Sequence, residues 1–361
     1  MTGTLSRHLF FRALRLFGII LSGVAGLVIM VDSVELLRLG YGEILGGIAP
    51  LIWLAMRRTL VILQTVLPFI MLLTAIFTLI GLNRSRELVV MRAAGQSVWQ
   101  FLRPLGSAAI LCGLFAAFVI NPLAASANKT AERDFAQSNA TSAAVAADAR
   151  NTWFRQRSGA DTLILGALGR ADNGRFLSGV TLLLLDENKQ IKMRAEASNA
   201  VWSVEGWTLG NASVQRTGSA QENVDSLTLP TSIDSDTLSA QATDPDLTSV
   251  FALPAAINQA RKTGLATAPY IQAFHAQLAK PLFFLCMVTI ASMICLRFGR
   301  FGRYDSMVLG GMLGGFLHYI FVEIFDGLGA SGALPTFAAV WVPLVVVILA
   351  AATVLLHQED G

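Results

Sequence analysis

Charge is scarce in this chain: only 14% of its 361 residues are Asp, Glu, Lys or Arg, against 54% that are apolar. The net charge of +3 is modest and gathered in a few short segments, which argues against a nucleic-acid partner. Cysteine is nearly absent. Cys112, Cys286 and Cys295 all fall inside long apolar runs, so the polar middle of the chain has no disulfide and must be held by a core of its own. The four histidines, His8, His275, His318 and His357, have no metal-ligand spacing, and no metal site is assigned. No G-x-x-x-x-G-K-[ST] loop, G-x-S-x-G elbow or H-E-x-x-H pair occurs, so no catalytic residue is assigned either. If ATP is consumed, another chain must bind it and its magnesium. No internal repeat relates the two halves, which removes support for an inverted-repeat transporter.

What is abundant is uninterrupted apolar sequence. Runs near 11–36, 60–82, 101–121, 279–298, 305–327 and 334–356 are each long enough to cross a bilayer at about 1.5 Å per residue. The first resembles a signal peptide, with Arg7, Arg12 and Arg15 before its apolar part. It lacks a small-x-small cleavage site, however, and reads as a retained span. Short basic segments set the orientation: the N-terminus, the loop with Arg84, Arg86, Arg92 and Arg103, and the loop with Arg297, Arg300 and Arg303 are expected to be cytosolic. Both termini are then cytosolic, and the 122–278 insert lies across the membrane. Arg38, Arg57 and Arg58, read as part of the first outer loop, weaken this asymmetry without reversing it.

The expected fold class is an α-helical polytopic membrane protein with six transmembrane helices and an inserted antiparallel β-domain. Residues 1–121 hold spans one to three, and 122–150, rich in Ala, Ser and Asn, form a helical or extended stalk. From Trp153 the period becomes that of strands: Thr162–Leu165, Val180–Leu185, Gln190–Ala197, Ala200–Val204 and Trp207–Leu209. Turn signals separate them at Asn173-Gly174, Glu187-Asn188 and Glu205-Gly206. This density of hairpins predicts a β-sandwich or jellyroll over 151–233, with Trp153, Trp202 and Trp207 as core. Residues 234–278 follow as an acidic linker and two helices, and 279–361 hold spans four to six. In span five, Gly310, Gly311, Gly314 and Gly315 make overlapping small-xxx-small pairs that admit a close backbone neighbour; whether that neighbour is internal or another chain is left open.

One cytosolic segment stands out. Glu87-Leu-Val-Val-Met-Arg-Ala-Ala-Gly95 predicts a helix of about three turns beginning near Ser85, with a capping hydroxyl, Glu87 beside the positive end of the macrodipole and Gly95 as its stop. Pro104 then punctuates the entry to span three. With the preceding Asn83-Arg-Ser-Arg, this wording resembles the coupling-helix segment of the lipopolysaccharide-export permease family LptF/LptG. The six-span plan with a β-jellyroll after span three is similar as well, so the resemblance covers essentially the whole chain. Val31-Asp32, the Leu-Val-Val-Met wording and the Phe325-Asp-Gly-Leu-Gly…Leu334-Pro335 junction look more like LptG than LptF.

The resemblance implies a bacterial inner-membrane permease with a periplasmic β-domain, working in outer membrane biogenesis. Its implied partners are an LptF-like sister permease, two LptB-like ATPases that hold ATP and magnesium, an LptC-like anchored β-domain protein, an LptA-like bridge and lipopolysaccharide itself. Glu87 and Arg92 would dock in the ATPase groove, with Leu88 and Met91 supplying apolar contact; a solvated interfacial helix is the plain alternative. Arg38, Arg57, Arg58, Lys129 and Arg133 would pair with lipid A phosphates at the outer face, where Lys129 and Arg133 sit about where the family keeps a basic pair. Each is equally readable as a snorkelling anchor. Rival readings are a non-transporting scaffold with a β-domain and an ABC permease that transmits force to periplasmic partners.

Overall fold

The computed structural model describes residues 2–44, 47–93, 95, 97–137, 152–158, 161–171, 176–186, 190–203, 206–216, 222–229, 245–262, 266–299 and 304–360. The stalk beyond 137, the turn residues Asn173-Gly174 and Glu187-Asn188, the linker up to 244, and Arg300 and Arg303 lie outside them. All six expected spans are helices: α1 (Thr2–Arg38), α3 (Ile48–Arg84), α5 (Val98–Phe115), and, after the sheet, α8 (Ala268–Gly299), α9 (Tyr304–Ala330) and α10 (Thr336–Asp360). Between them lie α2 (Tyr41–Ile44), α4 (Glu87–Ala93) and α7 (Leu253–Lys262).

Several helices run past the apolar runs. The second extends from Ile48 rather than from residue 60, so its 37 residues measure about 55 Å, against roughly 30 Å of hydrocarbon. Arg57 and Arg58 therefore lie on this helix and not in an outer loop. Pro104 lies inside α5, past its start at Val98, rather than at the entry. Span three continues through a π-turn, Ala116–Ile120, directly into α6 (Asn121–Gln137), so the first half of the expected stalk is helix. Pro122 explains the π-turn, because a residue with no N–H leaves a carbonyl one turn back without its partner and a five-residue turn absorbs the mismatch.

In the bundle α3 and α8 lie at the centre. Span two packs against spans one, four and five, and span four against two, three, five and six. Buried hydroxyls stay paired where no water reaches: Thr59, Thr74, Thr78 and Ser292 each donate to the carbonyl four residues back at 2.7–2.8 Å. The largest core cluster joins Leu9 and Ala13 of span one, Leu72 to Leu82 of span two, Val98 to Leu105 of span three, Met287 and Leu296 of span four, and Met307 of span five.

The insert is one antiparallel sheet of six strands: β1 (Thr152–Ser158), β2 (Asp161–Ala171), β3 (Phe176–Leu185), β4 (Ile191–Ser203), β5 (Gly206–Arg216) and β6 (Glu222–Leu229). Each pairs with its sequence neighbour. Residues expected as two separate strands, 190–197 and 200–204, form the single strand β4 up to Ser203, and β1 and β6 add strands not expected from the pattern. One face is buried almost completely, with Leu165, Leu182, Ala195, Trp207 and Leu209 at its middle and the half-buried Trp202 ring 5.4 Å from that of Trp207. The main helical contact of the sheet is α6 against β2. Among the described residues no helix is laid across the dry face, so the sheet covers it by curling over itself, as a jellyroll-like domain does.

The curl has a visible seam. Strand register passes over Leu168, Gly179, Ser198, Asn211 and Asp225, which stand side by side across β2 to β6. At this level the inward residues step by three instead of two: Leu177 to Val180, Ala197 to Ala200, Leu209 to Ala212. Gly179 and Asn211 take positive φ there, 58° and 49°.

Candidate functional site

At one end of the bundle the three basic segments meet. Span two stops at Arg84; the Ser85 hydroxyl bonds back to the Gly81 carbonyl at 3.0 Å, so it closes α3 and does not cap α4 as the sequence suggests. Arg86, at φ 58°, turns the corner in a left-handed conformation that costs a non-glycine residue about 1–2 kcal/mol. Helix α4 then spans Glu87–Ala93, about two turns rather than the three expected from Ser85, with Glu87 in its first turn as expected and Gly95, whose φ of 78° admits the stop, just beyond.

The helix is half sunk. Leu88 and Met91 are buried in the bundle's own core cluster, so the apolar contact expected of them is used within the chain. Val90 is 66% exposed and, among the described side chains, is the large apolar residue that α4 turns outward. Glu87 is partly exposed, and its Oε1 stands 3.8 Å from Nη1 of Arg12 on span one. Arg92 lies on α4; its side chain is outside the described part. Close by, the Arg84 guanidinium lies 4.7 Å over the ring of Tyr304, the first residue of span five.

At the opposite end, where the sheet attaches, the expected outer cations already have neighbours. Arg58 Nε is 3.4 Å from Oδ1 of the buried Asp32, Arg38 Nη1 is 3.7 Å from Glu35, and the Arg57 guanidinium sits 5.2 Å from the centre of the Trp53 ring. Lys129 and Arg133 are on α6, with side chains outside the described part. A crevice of about 360 Å³ lined by Leu37, Gly40, Gly42, Gly47 and Ile48 opens beside Arg38.

Deeper at this end is a polar knot that sequence reasoning passed over. Asn121 is fully buried; its Nδ2 donates to Gln64 Oε1 at 3.0 Å and its Oδ1 accepts from the Val250 N–H at 2.8 Å. Lys280 Nζ donates to the same Gln64 oxygen at 3.3 Å. Spans two, three and four are thus tied to the segment returning from the sheet. The available signal was a row of polar residues inside apolar runs, each of which must be paired when buried. The Asp326 carboxylate and backbone carbonyl likewise accept from Gln272 of span four.

The glycine motif of span five resolves as internal packing. A side chain at Gly311 would meet Ile76 and one at Gly315 would meet Leu72, both on span two, while one at Gly314 would meet Ile290 and Ile294 on span four. Gly310 is half-buried beside them. Gly113 differs in kind, since its missing side chain would collide with the backbone of Pro281 rather than with a side chain. Coverage of the spans is uneven: within their apolar windows 50–56% of residues are buried in spans two to four, but 6% in span one and 17% in span five. Leu27, Met30 and Val34 on the one, and Leu309, Leu313 and Leu317 on the other, face outward. Among the described residues no cluster of three metal-ligating side chains occurs.

The family model described as lipopolysaccharide export system permease LptF/LptG matches residues 7–357, nearly the entire chain. No curated protein matches it.

Proposed function

Because the chain belongs to the lipopolysaccharide export system permease family LptF/LptG, we propose that it is the LptG-like half of an ATP-driven exporter, with the basic end of the bundle in the cytosol and the sheet in the periplasm. The observation that carries the reading is the seating of α4. Its inner face is locked into the bundle by Leu88 and Met91, while Val90 and the Glu87 carboxylate are turned to the rim. A short helix held in this way transmits a push to the spans instead of yielding alone. An LptB-like ATPase dimer, holding ATP and magnesium, supplies that push, and Glu87 and Arg92 meet its groove.

The poorly covered faces of spans one and five suit an LptF-like sister chain, with an apolar chamber for lipid acyl chains between the two. Arg38, Arg57, Arg58, Lys129 and Arg133 then compete for lipid A phosphates at the outer rim; the neighbours of the first three must release them or share them. The edge strands β1 and β6, each paired on one side only among the described residues, offer their other side to the β-domains of LptC-like and LptA-like partners by strand addition.

The test is Glu87→Arg in the assembled complex, with Arg86→Glu beside it. Glu87→Arg is expected to reduce ATPase copurification or reconstituted lipid transfer, since breaking a desolvated pair costs about 3–5 kcal/mol. Arg86→Glu is expected to do less. Normal assembly and transfer by Glu87→Arg would remove α4 from the coupling role.

A further inference from the structure

Two cations sit at the root of α4, each joining it to one of the two spans that the bundle leaves least covered. Arg12 of span one reaches Glu87 at 3.8 Å, and its guanidinium fills the place that a side chain at Gly81 of span two would occupy. The absent side chain at residue 81 is thus what lets an arginine from span one lie across the end of span two. That end is also the negative pole of a 37-residue helix, which favours a cation there. Arg84, two residues before the Arg86 corner, lies over Tyr304 and so joins the same corner to the first turn of span five.

Neither contact is strong. The pair at 3.8 Å is partly exposed and screened by solvent, and the cation–π contact is of the exposed, weak kind. Their placement is what matters. The packing of Leu88 and Met91 already holds α4 in the bundle, so these two side chains add direction and little stability. Span one is contacted by spans two and three, and span five by two, four and six, and both faces turned away from the bundle are apolar.

We propose that Arg12 and Arg84 are positioning residues for transport, tying α4 and its corner to spans one and five so that one displacement of α4 moves both walls that face the sister chain. This rests on the coupling role given to α4 above. The weakness of the ties suits a cycle, since both must re-form at each turnover.

The experiment uses the full complex reconstituted in liposomes and compares Arg12→Ala, Arg12→Lys, Tyr304→Leu and Tyr304→Phe, with Glu87→Arg as the control for the underlying reading. Three quantities are read: ATPase copurification, lipid delivered per ATP hydrolysed, and the change on vanadate trapping in the distance between spin labels at Leu27 and Leu313. Arg12→Ala and Tyr304→Leu are expected to keep the ATPase bound while lipid per ATP falls about two- to fivefold, the range that contacts of this kind support. The label movement is expected to shrink with it. Arg12→Lys and Tyr304→Phe, which keep the charge and the ring face, are expected to restore both. Lipid per ATP at the parental value in Arg12→Ala and Tyr304→Leu overturns the ties while leaving the role of α4 intact. A Tyr304→Phe variant as impaired as Tyr304→Leu also overturns them, because the ring face would then not be the contact that counts. Normal assembly and transfer in Glu87→Arg overturns the underlying reading, and with it the Arg12 tie, whose partner that substitution removes.

Discussion

Replacing Asn121 by leucine tests whether the buried polar knot holds the sheet's return segment to the membrane bundle. Leucine keeps the branching of asparagine, with more bulk, but removes one donor and one acceptor from a site with no exposure. The Val250 N–H, bonded at 2.8 Å, is left without a partner. Gln64 loses one of its two donors and keeps Lys280. An orphaned buried amide costs about 1–3 kcal/mol and the second lost bond about 0.5–1.5, so the sum is roughly 2–4 kcal/mol. On the usual scaling with chain size this lowers the melting midpoint by about 3–5 °C. The protein carries its own reporter, because Cys112, Cys286 and Cys295 are free, buried and within the spans. A thiol-reactive dye added during heating in detergent reads the loss of the bundle directly. Asn121→Asp, which keeps an acceptor for Val250, is expected to fall less than Asn121→Leu. A Leu variant within about 1 °C of the parent would refute the reasoning, as would a double-mutant cycle with Gln64→Leu that shows no coupling, since contacting polar groups normally couple by about 0.5–3 kcal/mol.

Glycine substitutions should separate backbone contacts from side-chain contacts. Gly113→Ala meets the Pro281 backbone and should sit at the top of the range of about 1–3 kcal/mol for overpacking, whereas Gly311→Ala meets only the tip of Ile76 and should sit at the bottom; the same dye assay ranks them. Trp207→Ala, at 1% exposure the largest buried side chain among the described residues of the sheet, should cost its domain about 3–5 kcal/mol and speed proteolysis of 152–229 while leaving cysteine protection in the spans unchanged. Lys129→Ala with Arg133→Ala should lower photocrosslinking of lipopolysaccharide more than it lowers assembly, and unchanged crosslinking and export would reduce the pair to interfacial anchors. Deleting 151–233 should leave a membrane complex that still hydrolyses ATP but delivers no lipid to an LptC-like partner, and continued delivery would refute the relay.

Much of the architecture was legible because it depends on neighbours in the chain. Apolar run length marked the six spans, and alternation marked the centres of the strands. Glu87 and Gly95 marked the two ends of α4 through the preferences of helix termini. The misplaced features share a cause. Arg57 and Arg58 looked like loop residues because they interrupt an apolar run, yet the helix continues through them, with Asp32 and Trp53 beside their charges. The strands either side of the seam at Ser198 looked separate because the inward period shifts once, in concert with Gly179 and Asn211 on neighbouring strands.

By itself, then, the sequence determined that the chain spans a membrane six times, that a cysteine-free antiparallel domain is inserted after the third span, and that a short helix with a leading carboxylate joins spans two and three. Only the tertiary structure decided who meets whom. Asn121 is 57 residues from Gln64 and 129 from Val250, and Lys280 is 216 from Gln64. The same holds for Arg12 with Glu87, Arg84 with Tyr304, and the span-five glycines with Leu72 and Ile76. A glycine pair or a buried amide states locally that something must come close or be bonded, because open space and unpaired polar groups are costly inside a bundle. Which partner answers depends on how the helices pack around one another, and no local period carries that information.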